Sequence, residues 1–279
     1  MTSPAPEGAL LVPIANPETV DRLLDTAVDV ARERSMPIVA VHVVEVPPQL
    51  PLSDGDRLVT NETDRLLEYV ADRSADAGVE IETKTRFARD TATGIVGSVD
   101  AYDAASLLMG WRGRPRRRDV VLGSFLDRVL GEAPCDVYVK RIKLPSSSPG
   151  SILVPVAGGP HDELAAELAG TIAARHDAEI VLLHVEGPDT GADDHDNHVR
   201  LLEERRETVP DGLSVSESVV ESDHVAGAIT DETVHHDLTI LGATRDPFLK
   251  RRLVGSVAQG VGRSAGSSVI VTRRYLDER

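Results

Sequence analysis

The chain is written twice, and the repetition limits its fold more than its composition does. Residues 10–14 read LLVPI and residues 152–156 read ILVPV. IVAVHVVE at 38–45 is echoed by IVLLHVE at 180–186, SLLMG at 106–110 by LTILG at 238–242, and DVYVKR at 136–141 by SVIVTR at 268–273. The offset is 142 from Leu11 to Leu153 and from His42 to His184, but 132 from Gly110 to Gly242 and from Gly123 to Gly255. The second copy is therefore ten residues shorter, the loss falling between its second and fourth apolar runs. A repeat of this length is one complete folding unit.

Each run is short, β-branched and continuous, the pattern of a strand covered on both faces. Helical patterns lie between the runs. The first opens at Asn16, an N-cap candidate, with Pro17 at the first helical position. Val20, Leu23, Leu24, Ala27, Val28 and Ala31 form its apolar stripe. A second helix is expected over about residues 56–77, with Leu58, Leu66, Leu67, Val70 and Ala71 inward. Its shorter, more polar counterpart is expected near 195–208. Alternation of this kind predicts parallel sheets with helices on both faces. LPSSSPG, residues 144–150, carries no apolar period and reads as a linker.

Of 279 residues, 41% are hydrophobic but only 3% aromatic, so the cores must be built from Val, Leu, Ile and Ala. No apolar run approaches the roughly 20 residues of a membrane helix, and the first residues lack a signal-peptide pattern. One cysteine, Cys135, excludes an intrachain disulfide. A cytoplasmic protein without membrane insertion is expected. The formal net charge is −16, and lysine occurs only at Lys84, Lys140, Lys143 and Lys250. A lysine-poor acidic surface suits concentrated salt, so a halophilic source is one reading and an ordinary acidic protein the other. Bulk attraction to nucleic acid is not expected from this charge.

Against that background, MGWRGRPRRRDVVLGS at 109–124 places five arginines between glycines. It follows the fourth strand and precedes the helical pattern FLDRVLGEA. In open α/β sheets, ligands gather at strand carboxyl ends where strand order reverses. Gly110 and Gly113 permit close backbone approach. Gly123 and Ser124 open a helix whose free N–H groups favour an anion. Guanidinium forks beside such donors make a phosphate site, which singles out Arg112, Arg114 and Arg116. A solvated basic patch and a docking face for an acidic partner are the alternatives.

Gly-x2-Gly-x9-Gly-Ser in this place, with the VP of the first strand and the HV of the second, resembles the universal stress protein family, in tandem over essentially the whole chain. The resemblance implies two doubly wound, Rossmann-like α/β domains, residues 1–143 and 151–279, joined by 144–150. Each is expected to hold a five-stranded parallel sheet in the order 3-2-1-4-5. It further implies an adenine nucleotide, usually ATP, here with Mg2+ as a candidate companion. By position, the backbone of Val43 would meet the adenine, and Gly110 and Gly113 the ribose and phosphates. Gly123, Ser124 and the amide of Phe125 would hold phosphates. The family also pairs domains through their fifth strands, which a tandem chain can do internally. A further homodimer and a transporter or other protein partner are compatible with it.

Two departures stand out. The Asp usual after the first strand is Ala15 here and Ala157 in the second copy. In the second loop, Gly242-x2-Arg245-x9-Gly255-Ser256, an arginine replaces the second glycine. The second site (Val185, Gly242, Arg245, Gly255, Ser256, Val257) is therefore expected to be degenerate. His42 and His184 are expected to line the core or site, not to bind metal. DDHDNH at 193–198 reads as an exposed helix start. Trp111 is assigned equally to base stacking and to packing. No nucleophile–base pair or carboxylate pair is placed for hydrolysis, so ATP hydrolysis is at most a slow side activity. The two main readings are a regulatory nucleotide binder with its site in the first half, and a non-nucleotide docking module that regulates a transporter.

Overall fold

The computed structural model describes residues 8–111, 124–142, 148–189, 191–243 and 256–276. The first copy forms β1 (Ala9–Pro13), α1 (Pro17–Glu33), β2 (Ile38–Glu45), α2 (Asn61–Ala77), β3 (Ile81–Ala88), α3 (Thr91–Ala101), β4 (Ala104–Trp111), α4 (Ser124–Glu132) and β5 (Asp136–Arg141). The second forms β6 (Ser151–Pro155), α5 (Pro160–His176), β7 (Glu179–Glu186), α6 (Ala192–Glu207), β8 (Val215–Glu221), α7 (Val225–Glu232), β9 (Leu238–Gly242), α8 (Ser256–Ser264) and β10 (Ser268–Arg273). Strand order is β3-β2-β1-β4-β5 in one copy and β8-β7-β6-β9-β10 in the other. The ladders of β1 with β2 and β4, and of β6 with β7 and β9, are parallel. Both copies are thus doubly wound α/β folds of the expected order.

By their contacts, residues up to Gly110, Ser124–Tyr138 and those from Tyr275 onward form one unit, and Trp111 and Val139–Arg274 the other. In the first unit, Leu10, Leu11 and Val12 of β1 are fully buried between α1 and the opposite helix layer, as a central parallel strand requires. In the second, Ile152, Leu153 and Val154 of β6 do the same.

The first helix begins where the sequence signals it. Asn16 is extended and Pro17 opens α1. The cap is made the other way round from expectation, because Thr19 Oγ1 donates to Asn16 O at 3.1 Å and lies 3.2 Å from Asn16 Oδ1. Val20, Leu23, Leu24, Ala27 and Ala31 are buried, but Val30 takes the inward place expected of Val28, which is half-buried. The second helix is the clearest departure. Leu52–Leu58 form a separate 3-10 turn, and α2 starts only at Asn61, capped by Thr60 accepting from Thr63 N. Gly55 explains the break: a Cβ there would fall 2.4 Å from the Phe87 ring, so the turn is pressed onto β3. Leu58 is half-buried, and Ala71 is exposed instead of inward. The counterpart helix, α6, runs slightly earlier than expected, over Ala192–Glu207. Among the described residues, no helix is long and apolar enough to cross a membrane.

Candidate functional site

In the first unit the strand order reverses at β1, which has β2 on one side and β4 on the other. Three segments border the carboxyl end of that junction: the loop 14–16, the end of β2 with Val43, and Gly110 at the end of β4. Val43 and Gly110 are both half-buried. His42 Nδ1 lies 3.0 Å from Ile14 O. A carbonyl only accepts, so Nδ1 carries the proton and the ring ties β2 to the loop after β1. Behind Val43 sits α3, where a Cβ on Gly94 would fall 2.5 Å from Val43 Cγ1.

A polar frame fixes the surrounding elements. Asp90 caps α3, accepting from Thr93 N at 2.9 Å and Thr93 Oγ1 at 2.6 Å. Those bonds from Thr93, with Arg128 beside it, hold the Asp90 carboxyl down to about 2. Arg128 of α4 reaches Asp90 Oδ1 at 2.8 Å and Thr93 Oγ1 at 2.7 Å, which anchors α4 against α3. Glu45, the last residue of β2, accepts from Thr91 N at 2.8 Å and Thr91 Oγ1 at 2.6 Å. Arg89 Nη1 donates to the carbonyls of Val46, Pro47 and Leu50 at 3.1, 2.6 and 2.8 Å, shaping the chain that leaves β2. The carboxylates near the junction are therefore spent on structure.

Ser124 is the first residue of α4, and Phe125 beside it is 37% exposed. Of the other expected site residues, Arg112, Gly113, Arg114, Arg116 and Gly123 lie outside the described residues, as do Arg245 and Gly255 in the second copy. Trp111 is half-buried and groups with the second unit. There its ring lies 3.0 Å from where a Cβ on Gly262 of α8 would be, which resolves its two readings in favour of packing.

The second unit repeats the histidine tie between its second strand and the loop after its first. His184 Nδ1–H donates to Val156 O at 2.8 Å, as His42 does in the first copy. Burial, first of all, pushes His184 below the usual imidazole value. Val185 and Gly242 are half-buried at the ends of β7 and β9, and Ser256 and Val257 open α8. The loop after β6, residues 156–159, is one residue longer than the loop 14–16 after β1. Gly158 and Gly159 adopt φ of +91° and +113°, which only glycine takes readily. Their turn aims two amides at Asp162 Oδ2: Ala157 N at 2.8 Å and Gly158 N at 2.6 Å. Arg205 Nε of α6 lies 3.1 Å from Asp162 Oδ1, out of line for a hydrogen bond. Asp162 is 6% exposed and Arg205 9%. Burial pushes the Asp162 carboxyl up, against the pull of the Ala157, Gly158 and Glu163 amides and the Arg205 guanidinium.

Neither Asp162 nor Arg205 was singled out from the sequence. An acidic residue in the first turn of a helix reads as a partner for the helix dipole, and only its place three residues after Gly-Gly hints at more. The histidines of DDHDNH also find a use. His195 Nδ1 and His198 Nδ1 lie 3.1 and 3.2 Å from Glu186 Oε2, and the His198 ring stacks beside His184 with centroids 4.1 Å apart. Those two imidazoles hold Glu186 below the usual carboxylate value. Among the described residues, no group of three His, Cys, Asp or Glu side chains is placed to hold a metal.

The two junctions differ in how their first helix lies. α5 packs against β9 and β10 as well as β6, whereas the main contacts of α1 are with β1, β2 and α2. A Cβ on Gly242 would fall 2.7 Å from Asp162 N and 2.8 Å from His161 C. What approaches this glycine closely is the start of α5.

The family model described as "Universal stress protein family" matches residues 8–141 and again 150–273. A universal stress protein of Mycobacterium tuberculosis is 26% identical over 272 residues, covering 88% of this chain and 90% of that one. The Na(+)/H(+) antiporter NhaS5 of Synechocystis sp. is 26% identical over 259 residues, covering 90% of this chain but 35% of the antiporter. The crystal structure of a universal stress protein from Archaeoglobus fulgidus superposes with a TM-score of 0.72 at 20% identity, covering 97% of this chain and 98% of that one. The cytoplasmic domain of a prokaryotic cation chloride cotransporter gives 0.65 at 13% identity, with 97% of each chain covered. With the family matched twice across nearly its whole length, the chain belongs to the universal stress protein family and carries two of its domains in tandem.

Proposed function

We propose that this protein is a regulatory adenine-nucleotide binder whose working site is in the first unit. Some universal stress proteins bind such nucleotides. The supporting observation is the difference between the two junctions: α5 packs chiefly on β9, the counterpart of β4, whereas the main contacts of α1 are with β1, β2 and α2. The backbone of Val43 would meet the base, and Gly110 and Gly113 the ribose and phosphates. Gly123, Ser124 and the Phe125 amide, at the start of α4, would take the phosphates, with Arg112, Arg114 and Arg116 as further phosphate contacts. The first four N–H groups of a helix have no partner within it, which suits an anion there. Ala15 supplies no carboxylate, so specificity would come from backbone and shape. No side-chain cluster among the described residues suits a metal, so Mg2+ would be carried by the phosphates. Pairing through β5 and β10, and a salt-adapted surface in the cytoplasm, belong to the same proposal.

A second reading is favoured by the antiporter that matches this chain over 35% of its own length. There, a stretch similar to this chain is part of an antiporter, and a separate tandem chain could dock on a transporter. Gly123→Val separates the readings. If ATP binding is lost while the circular dichroism spectrum is kept, the first reading stands. If the variant binds ATP as the parent does, the first reading fails. Replacing Arg117 and Arg118 with Ser, which leaves the proposed phosphate contacts in place, tests docking: capture of a transporter should fall while ATP affinity is kept.

A further inference from the structure

We propose that the second unit is self-liganded: the Asp162 carboxylate occupies an oxyanion hole in which the phosphate-type anion of a ligand would otherwise lie. The hole has three parts. The Ala157 and Gly158 amides converge on one oxygen at 2.8 and 2.6 Å. The start of α5 contributes the positive end of its dipole. Arg205, buried beside them, faces the other oxygen at 3.1 Å. Convergent amides, a helix start and a guanidinium are the donor set that recognises phosphate or sulfate. Here the anion is part of the chain.

The first unit lacks this plug. The residue at the same helical position, three into α1, is Thr19, whose hydroxyl serves Asn16. The loop before it is one residue shorter, and Asn16 is extended where Gly158 and Gly159 are left-handed. The charge pair between α1 and α2, Asp21 with Arg73, lies on the surface at 44% exposure for each side chain. In the second unit the corresponding helices are joined by a pair that is almost fully buried.

A tethered group also has a concentration advantage. Its effective concentration is on the order of millimolar or higher, and here its position is already fixed by packing. A free phosphate or nucleotide at ordinary concentrations would have to eject a buried carboxylate that Arg205 neutralises. Arg205 Nη1 also lies 3.8 Å from Glu163 Oε2, so the guanidinium keeps a carboxylate neighbour when Asp162 is replaced, whereas losing Arg205 would leave the Asp162 carboxylate buried without its countercharge. The inference refines the proposed asymmetry of the two units, but it stands on the geometry of the second unit alone.

The test uses the full chain, inorganic phosphate as probe, and the backbone amide resonances of Ala157 and Gly158 as local reporters. In Asp162→Ala, phosphate should shift both resonances saturably, with binding at least tenfold tighter than in the parent. Adding Arg205→Met to that variant should remove the effect. Asp162→Asn keeps the plug in place without its charge and should not bind. If Asp162→Ala folds and its Ala157 and Gly158 resonances respond no more than the parent's, the proposal fails. If Asp162→Ala does not fold, the parent decides: shifts of these two amides on adding phosphate or ATP overturn the proposal, and their constancy supports it. Loss of ATP binding at Val43 and Gly110 would instead count against the first-unit reading and leave this result untouched.

Discussion

Gly242→Ala separates two reasons for a glycine at the end of β9. In a ligand-binding reading, the missing side chain lets a nucleotide approach. In this structure the space belongs to α5. A Cβ would sit 2.7 Å from Asp162 N and 2.8 Å from His161 C, where ordinary contact begins at 3.4 Å. The start of α5 would have to retreat by about 0.7 Å, and both blocking atoms are backbone. Overpacking of this kind costs about 1–3 kcal/mol. Replacing glycine recovers about 0.4–1 kcal/mol by restricting the unfolded chain. The net expectation is a loss of roughly 1–2 kcal/mol, or several degrees in Tm for a unit of this size. Urea denaturation can be followed by the single tryptophan, Trp111, which packs at Gly262 within the same unit. ATP stoichiometry should not change. A variant as stable as the parent to within about 0.5 kcal/mol, or one that loses bound ATP while keeping its stability, would refute the packing argument.

Gly94→Ala should push on Val43, since its Cβ would fall 2.5 Å from Val43 Cγ1. ATP affinity should fall by more than stability does, because the helix itself gains from alanine by about 1 kcal/mol, and calorimetry with thermal melts on one sample would show the split. Burial depresses His184 below the ordinary imidazole value of 6.5, so the fold favours its neutral form. That contribution is complete above pH 6.5 and fades as pH falls below it, a loss that stability curves should show in the parent and not in His184→Gln. Asp90 is held at about 2 against 3.8, so its capping contribution is present above pH 4 and lost as pH falls toward 2. Asp90→Ala should be less stable at neutral pH and show a flatter acid limb.

The first, second, fourth and fifth strands of each copy were legible because each is a continuous apolar run that appears twice. That pattern leaves little choice but a buried parallel sheet. The edge strands β3 (IETKTRFA) and β8 (VSESVVE) are rich in polar residues and carry no such run. Helix starts were legible where proline and a polar residue mark them, as at Asn16 and Pro17. The turn at 52–58 was not, because it depends on Gly55 meeting Phe87, a contact between segments more than thirty residues apart. The histidine pair was readable as structural from its position inside apolar runs, and both rings do bind a loop carbonyl. Asp162 was hidden because its partners are amides, which have no signature in a sequence. Arg205 was hidden because a charge on a polar helix reads as solvated until the fold buries it. Local pattern thus pointed to the strand ends where a site is expected, whereas the buried Asp162–Arg205 pair of the second copy arose from packing.

The most direct test of the central claim is a calorimetric titration of ATP into the full chain with Mg2+, in molar and in low potassium chloride, with folding checked in each. One site per chain, abolished by Gly123→Val and kept in Asp162→Asn, is the expected result. Two sites per chain, or no binding to a folded protein, would contradict it.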